Sequence, residues 1–124
     1  MQMDLVDFFK LKSRLDQQGE MKLNVASDSM HPVLKIGQKI TVKPSNGVPL
    51  RKFDIIVFWG QGKLISHFLW AKQMNEANSE FVIITKSLKE PSSHDIPIKE
   101  NLILGIVDCK LSLLSKISVW LRNL

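Results

Sequence analysis

The run Phe53-Asp54-Ile55-Ile56-Val57-Phe58-Trp59 leads through Gly60-Gln61-Gly62 into Leu64-Ile65-Ser66-His67-Phe68-Leu69-Trp70, and this passage constrains the fold most. The first run is apolar at nearly every position, the pattern of a strand covered on both faces. A Gly-x-Gly step leaves room only for a tight reversal, because glycine supplies the positive φ that short hairpin turns demand. Two such strands back to back are marginal alone and need further strands and a cover.

The rest of the chain supplies them. Lys22 to Ala26 is strand-like. Lys39 to Lys43 alternates, with Ile40 and Val42 on one face. Glu80 to Lys86 and Leu102 to Asp108 add two more apolar runs, and Ser87 to Pro97 between them is a polar loop. Before the strands, Leu5, Phe8, Phe9, Leu11 and Leu15 recur near helical spacing, with Asp4 as N-cap and Gly19 as the stop. After them, Leu113, Leu114, Ile117, Trp120, Leu121 and Leu124 fall near one helical face. The sequence therefore predicts one domain over residues 1–124 of mainly β class. It comprises a helix at about 4–18, a β core at about 22–108 and a helix at about 110–124. The sheet is small and bent, or a half-open barrel. Its core should draw on Val25, Ile40, Val42, Ile55, Val57, Leu64, Phe81, Ile83, Ile103 and Ile106.

A length of 124 residues suffices for one real core but not two. The net charge of +5 permits an anionic partner, but the basic residues are scattered singly and form no phosphate-tracking block, so nucleic acid is not expected. One cysteine, Cys109, rules out an internal disulfide, and its apolar setting reads as a packed thiol. The three histidines and the acids show no ligand spacing, so no metal and no cofactor is implied. No run reaches the roughly eighteen apolar residues of a membrane span, and Asp4 stands where a signal peptide carries positive charge. The expected location is cytoplasmic, or peripheral at the inner membrane surface. The C-terminal stripe reads first as a face packed on the sheet. A basic amphipathic helix bearing tryptophan also suits an anionic membrane, which is the second reading.

Three places could carry chemistry. In Ser27-Asp28-Ser29-Met30-His31-Pro32, two serines spaced two apart stand on a turn between strands. A serine on such a turn can expose its hydroxyl and its own N–H, which suits a nucleophile with a built-in oxyanion donor. A polar β-turn is the plainer reading. His67 shares a strand face with Ile65 and Leu69; it is either a bonded core histidine or a general base near neutral pH. Asp95, in the polar loop before Ile96-Pro97-Ile98, is a solvated turn residue or the carboxylate that would orient such a histidine.

The stretch Ser27 to Gly37 resembles the nucleophile box of type I signal peptidases, in which serine or glycine precedes a serine-methionine pair and a proline. Arg51 to Phe58 resembles the family's glycine-aspartate-isoleucine-valine strand, and Ile65-Ser66-His67-Phe68 falls where its base stands. Thr85-Lys86-Ser87 and Leu104-Gly105-Ile106-Val107 resemble two later boxes. The match covers about residues 22–108 in the family's order. By that resemblance Ser29 is the nucleophile. Ser27 and the backbone N–H of Ser29 line the oxyanion hole, and His67 is the base of the archaeal and endoplasmic-reticulum type. Asp95 matches the late aspartate. The implied activity is cleavage of a peptide or precursor protein lying extended along a sheet edge, with small residues before the cut.

Several positions depart from that pattern. Gln38 replaces an aspartate, Lys52-Phe53 replaces the glycine before Asp54, and Phe68 replaces an arginine. Ser87-Leu88-Lys89 lacks a glycine-aspartate-asparagine, Asp28 adds a negative charge beside the nucleophile, and no transmembrane anchor is present. They motivate an alternative, a catalytically inactive peptide-binding or adaptor module on the same fold. Self-cleaving repressor proteases share the serine-methionine box but use a lysine base, which this chain does not offer at the matching place.

Overall fold

The computed structural model describes residues 2–123 apart from Glu76, Asn78 and His94. Its elements run α1 (Leu5–Gln18), β1 (Met21–Asn24), β2 (Lys39–Lys43), β3 (Asp54–Gly60), β4 (Lys63–Asn75) and β5 (Glu80–Lys86), then β6 (Ile98–Lys99), a 3₁₀ turn (Glu100–Leu102), β7 (Ile103–Lys110) and α2 (Leu113–Arg122). The seven strands form one antiparallel sheet in the order β1-β2-β7-β3-β4-β5-β6. It curls into a half-barrel with a helix from each end of the chain.

The β3–β4 hairpin closes as Gly60↔Lys63, with Gln61 and Gly62 both at positive φ (54° and 76°). That is the two-residue turn whose twist matches the flanking strands. A backbone bond from Met3 N to Gly62 O (2.8 Å) and an indole bond from Trp59 Nε1 to Met3 O (2.7 Å) tie the start of the chain to this hairpin. α1 begins where Asp4 accepts from Asp7 N at 2.8 Å and ends at Gly19, whose φ of 81° no β-carbon-bearing residue takes cheaply. It buries Phe8 and Leu15, two turns apart.

β3 is covered on both faces, as its apolar run requires. Ile55 and Val57 join Phe8, Leu15, Val42 and Phe68 on one side; Ile56 and Phe58 join Leu69, Ile83, Ile98 and Ile103 on the other. β7 lies between β2 and β3, through Val42↔Val107 on one side and Ile56↔Ile106 and Val57↔Gly105 on the other. A β-carbon on Gly105 would stand 2.3 Å from Lys43 O, so glycine is what allows β2 to cross so close.

Three expectations need correction. Phe81 is half-exposed rather than core, because Met74↔Phe81 lies at the outer end of a β4 that runs past Trp70 to Asn75. The C-terminal helix is shorter than 110–124; it starts after Ser112, whose Oγ accepts from Ser115 N at 3.1 Å. Its apolar stripe does not pack on the sheet. Leu113, Leu114, Ile117, Trp120 and Leu121 are exposed, and the helix is held by Val119 instead; Leu124 lies outside the described residues. No described helix is long and apolar enough to cross a membrane.

Candidate active site

Between β1 and β2 the chain folds back on itself. Val25 N donates to Gln38 O and Gly37 N to Val25 O, each at 2.9 Å, which pins both ends of the segment carrying the two serines. Inside it, His31 N donates to Asp28 O (3.0 Å) and Leu34 N to Met30 O (2.9 Å), and the His31–Pro32 peptide is cis. Met30 and Leu34 are buried beneath, anchoring the turn by their apolar side chains. Gln38, standing in place of the expected aspartate, accepts from Lys35 N at 2.9 Å through Oε1 and so still supports the turn.

Ser29 is half-buried at the crest of this turn, with its Oγ 3.2 Å from Ser27 Oγ. Among the described residues its N–H has no acceptor and its Oγ makes no hydrogen bond to the imidazole. Asp28, which lines the same cleft, holds its carboxylate 3.2 Å from Lys89 Nζ, while Lys89 N donates to Ser29 O at 3.1 Å. The loop after β5 is thus clamped onto the serine turn by a backbone bond and an ion pair. The negative charge beside the serine turn is paired with a cation.

His67 sits on β4, opposite Ile56 of β3, with its side chain only 13 % exposed and the Phe58 ring edge-on at 6.0 Å. Its Nδ1 is paired with Asp95 Oδ2. Two bonds place that carboxylate: Thr85 Oγ1 donates to Asp95 Oδ2 at 2.6 Å, and Asp95 N donates to Thr85 O at 3.0 Å. Thr85 is fully buried on β5 opposite Leu69, so the rigid ladder, not the loop, fixes where Asp95 stands. An imidazole bonded through Nδ1 keeps Nε2 as its free acceptor, the arrangement a general base needs.

Ser27, Ser29, His67 and Asp95 all line one cleft of about 1050 Å³. The edge strand β1 contributes Leu23 and Asn24 to the same cleft, and Val25 and Ala26 continue that wall toward Ser27. Compared with protein-family models and with curated proteins, the chain matches none. The geometry therefore stands by itself.

All four sequence-predicted site residues come together in the cleft. Thr85, noted for its place in a motif, emerges as the support of Asp95, which its apolar strand neighbours did not reveal. The sequence reading named Lys86 only as part of the same motif and gave it no role. This lysine is fully buried; its Nζ donates to Pro91 O at 3.0 Å and to Asn123 Oδ1, and stands over the Trp70 ring 4.2 Å from its centre. Burial, and secondarily the neighbouring Lys52 charge, hold its pKa below the ordinary lysine value. The signal was a cation ending an otherwise apolar strand. Among the described residues no group of histidines, cysteines and acids forms a metal site.

Proposed function

We propose that this protein is a serine endopeptidase with the catalytic core of the type I signal peptidases and a histidine base. The observation that carries the reading is His67, oriented through Nδ1 by an Asp95 that Thr85 fixes in turn, in the cleft that also holds Ser29. In this mechanism the substrate lies extended beside β1, pairing its backbone with the free strand edge. Ser29 Oγ attacks the scissile carbonyl while His67 Nε2 takes its proton. The Ser29 N–H and the Ser27 hydroxyl stabilise the oxyanion, and His67 returns the proton to the leaving amine. Water then releases the acyl group by the same route. The substrate is a peptide or precursor protein in the cytoplasm or at the inner membrane surface.

In the free enzyme Ser29 Oγ faces Ser27 rather than the imidazole. A turn of the serine side chain as substrate enters closes this step, since catalytic hydrogen bonds commonly tighten only in the complex. The same observation favours the second reading, a peptide-binding module that does not cut.

Labelling with a fluorophosphonate separates the two. Modification of Ser29 that disappears in Ser29→Ala and His67→Ala supports the peptidase. Asp95→Asn should slow labelling by about 10²–10⁴-fold, the usual loss when an imidazole keeps its place but not its tautomer. A folded wild-type protein that resists several acylating probes refutes the reading.

A further inference from the structure

α2 presents its apolar side to solvent. Leu113, Leu114, Ile117, Trp120 and Leu121 share one side by their spacing of three, four and seven residues, and are between 44 % and 80 % exposed. The opposite side holds the helix down: Val119 is buried, and Asn123 bonds Pro91 O at 3.0 Å and receives Lys86. This reverses the usual arrangement, in which an amphipathic helix turns its apolar stripe toward the core.

The charges on α2 and its flanks are of one sign. Residues 110–123 contain Lys110, Lys116 and Arg122 and no acid. On the neighbouring turn, Lys52 stands over Trp70 at 3.7 Å, and Lys116 lies 5.7 Å from the Phe53 ring. Lys52, Phe53, Lys116, Ile117 and Trp120 together line a cleft of about 260 Å³. Cations, a tryptophan and an apolar floor in one place suit a phosphate head group with its acyl chain alongside. α2 is ten residues long, about 15 Å, so it lies in the interface rather than crossing it.

We infer that α2 docks the protein on an anionic phospholipid surface, with Leu113, Leu114, Ile117, Trp120 and Leu121 in the acyl boundary and Lys52, Lys116 and Arg122 on the head groups. The inference is independent of peptidase activity.

Vesicle co-sedimentation tests it, using phosphatidylcholine alone and phosphatidylcholine with about one third phosphatidylserine. Three interfacial cations should favour the anionic vesicles by roughly a hundredfold, an advantage that falls with added salt. Leu114→Asp and Leu121→Asp, at sites that bury little, should abolish binding, and Gln73→Asp on exposed β4 should preserve it. Vesicles should also shift the tryptophan emission to the blue, a change that Trp120→Phe removes. Equal affinity for both vesicles, no binding, or binding untouched by Leu114→Asp overturns the inference. So does a dimer in sedimentation velocity that Leu114→Asp dissociates, because a second copy would then be what covers the stripe.

Discussion

Replacing Gly105 by alanine should cost this protein far more than one methyl group suggests. The new Cβ would lie 2.3 Å from Lys43 O and 2.8 Å from Val42 Cγ1. Uncharged heavy atoms rest near about 3.5 Å, so β2 and β7 would have to part by roughly 1 Å. Both obstacles belong to the β2 strand and the nearer one is backbone, so no side-chain rotation relieves the clash. Overpacking of this kind costs about 1–3 kcal/mol. Loosening the short β2–β7 ladder, which pairs only Val42↔Val107 and Lys43↔Ile106, adds about 0.5–1.5 kcal/mol per hydrogen bond weakened. A total near 3 kcal/mol follows, out of the roughly 5–15 kcal/mol that a domain has. At this chain length that lowers Tm by about 12 °C. Gly60→Ala is the matched control: its Cβ would meet Ile65 Cδ1 at 3.3 Å, the free end of a flexible side chain. Urea unfolding followed by circular dichroism measures both. Equal midpoints for the two variants would refute the argument that β7 is pressed against β2.

Two further outcomes are expected. Phe53 holds a φ of 73°, in a region a bulky residue rarely enters, where the family resemblance places a glycine. Its N–H donates to Leu69 O at 2.7 Å, and its ring lies 5.9 Å from Phe68 and 6.1 Å from Trp70. Both Phe53→Gly and Phe53→Ala lose those rings, but only alanine keeps the left-handed cost, so glycine should be the more stable by about 1 kcal/mol in thermal melts; alanine equal to or above glycine contradicts the strain. For Lys86, the lowered pKa means the folded state binds fewer protons than the unfolded chain between that value and the ordinary lysine value. Wild-type stability relative to Lys86→Met should therefore rise with pH across that alkaline window, and a flat difference in urea titrations would show that the lysine carries no burial penalty.

The hairpin at Gly60-Gln61-Gly62 was legible because its glycines and its apolar flanks demand the same turn. Glu80 to Lys86 was legible in its bounds for a similar reason: a short apolar run between polar loops has few other places to go. Its faces were not. Phe81 looks like core, yet its exposure depends on how far β4 extends beyond Trp70, and Lys72 and Gln73 carry no apolar alternation to announce that extension. The α2 stripe misled differently. Periodicity states which residues share a face, but not whether that face meets the sheet or the solvent. At the site, Ser29 and His67 could be found from their local motifs. Asp95 was named from the family's late aspartate, but the contact with Thr85 ten residues earlier that holds it, like that of Lys86 with Asn123, is encoded in no local pattern.

β7 comes last among the strands yet stands third across the sheet. On one side of it, β1 and β2 hold the serine turn; on the other, β4 and the loop after β5 hold His67 and Asp95. Among the described residues it is the one strand whose hydrogen bonds reach both groups. A growing chain that has reached residue 95 already contains every side chain of the proposed dyad and its support, but they ride on two pieces that no ladder joins. The strands that carry the serine turn and His67 join one sheet only when residues 103–110 slot between the two halves. On the ribosome, then, the proposed peptidase activity should appear only once the sheet is whole, so that the order of synthesis itself sets when the cleft is complete.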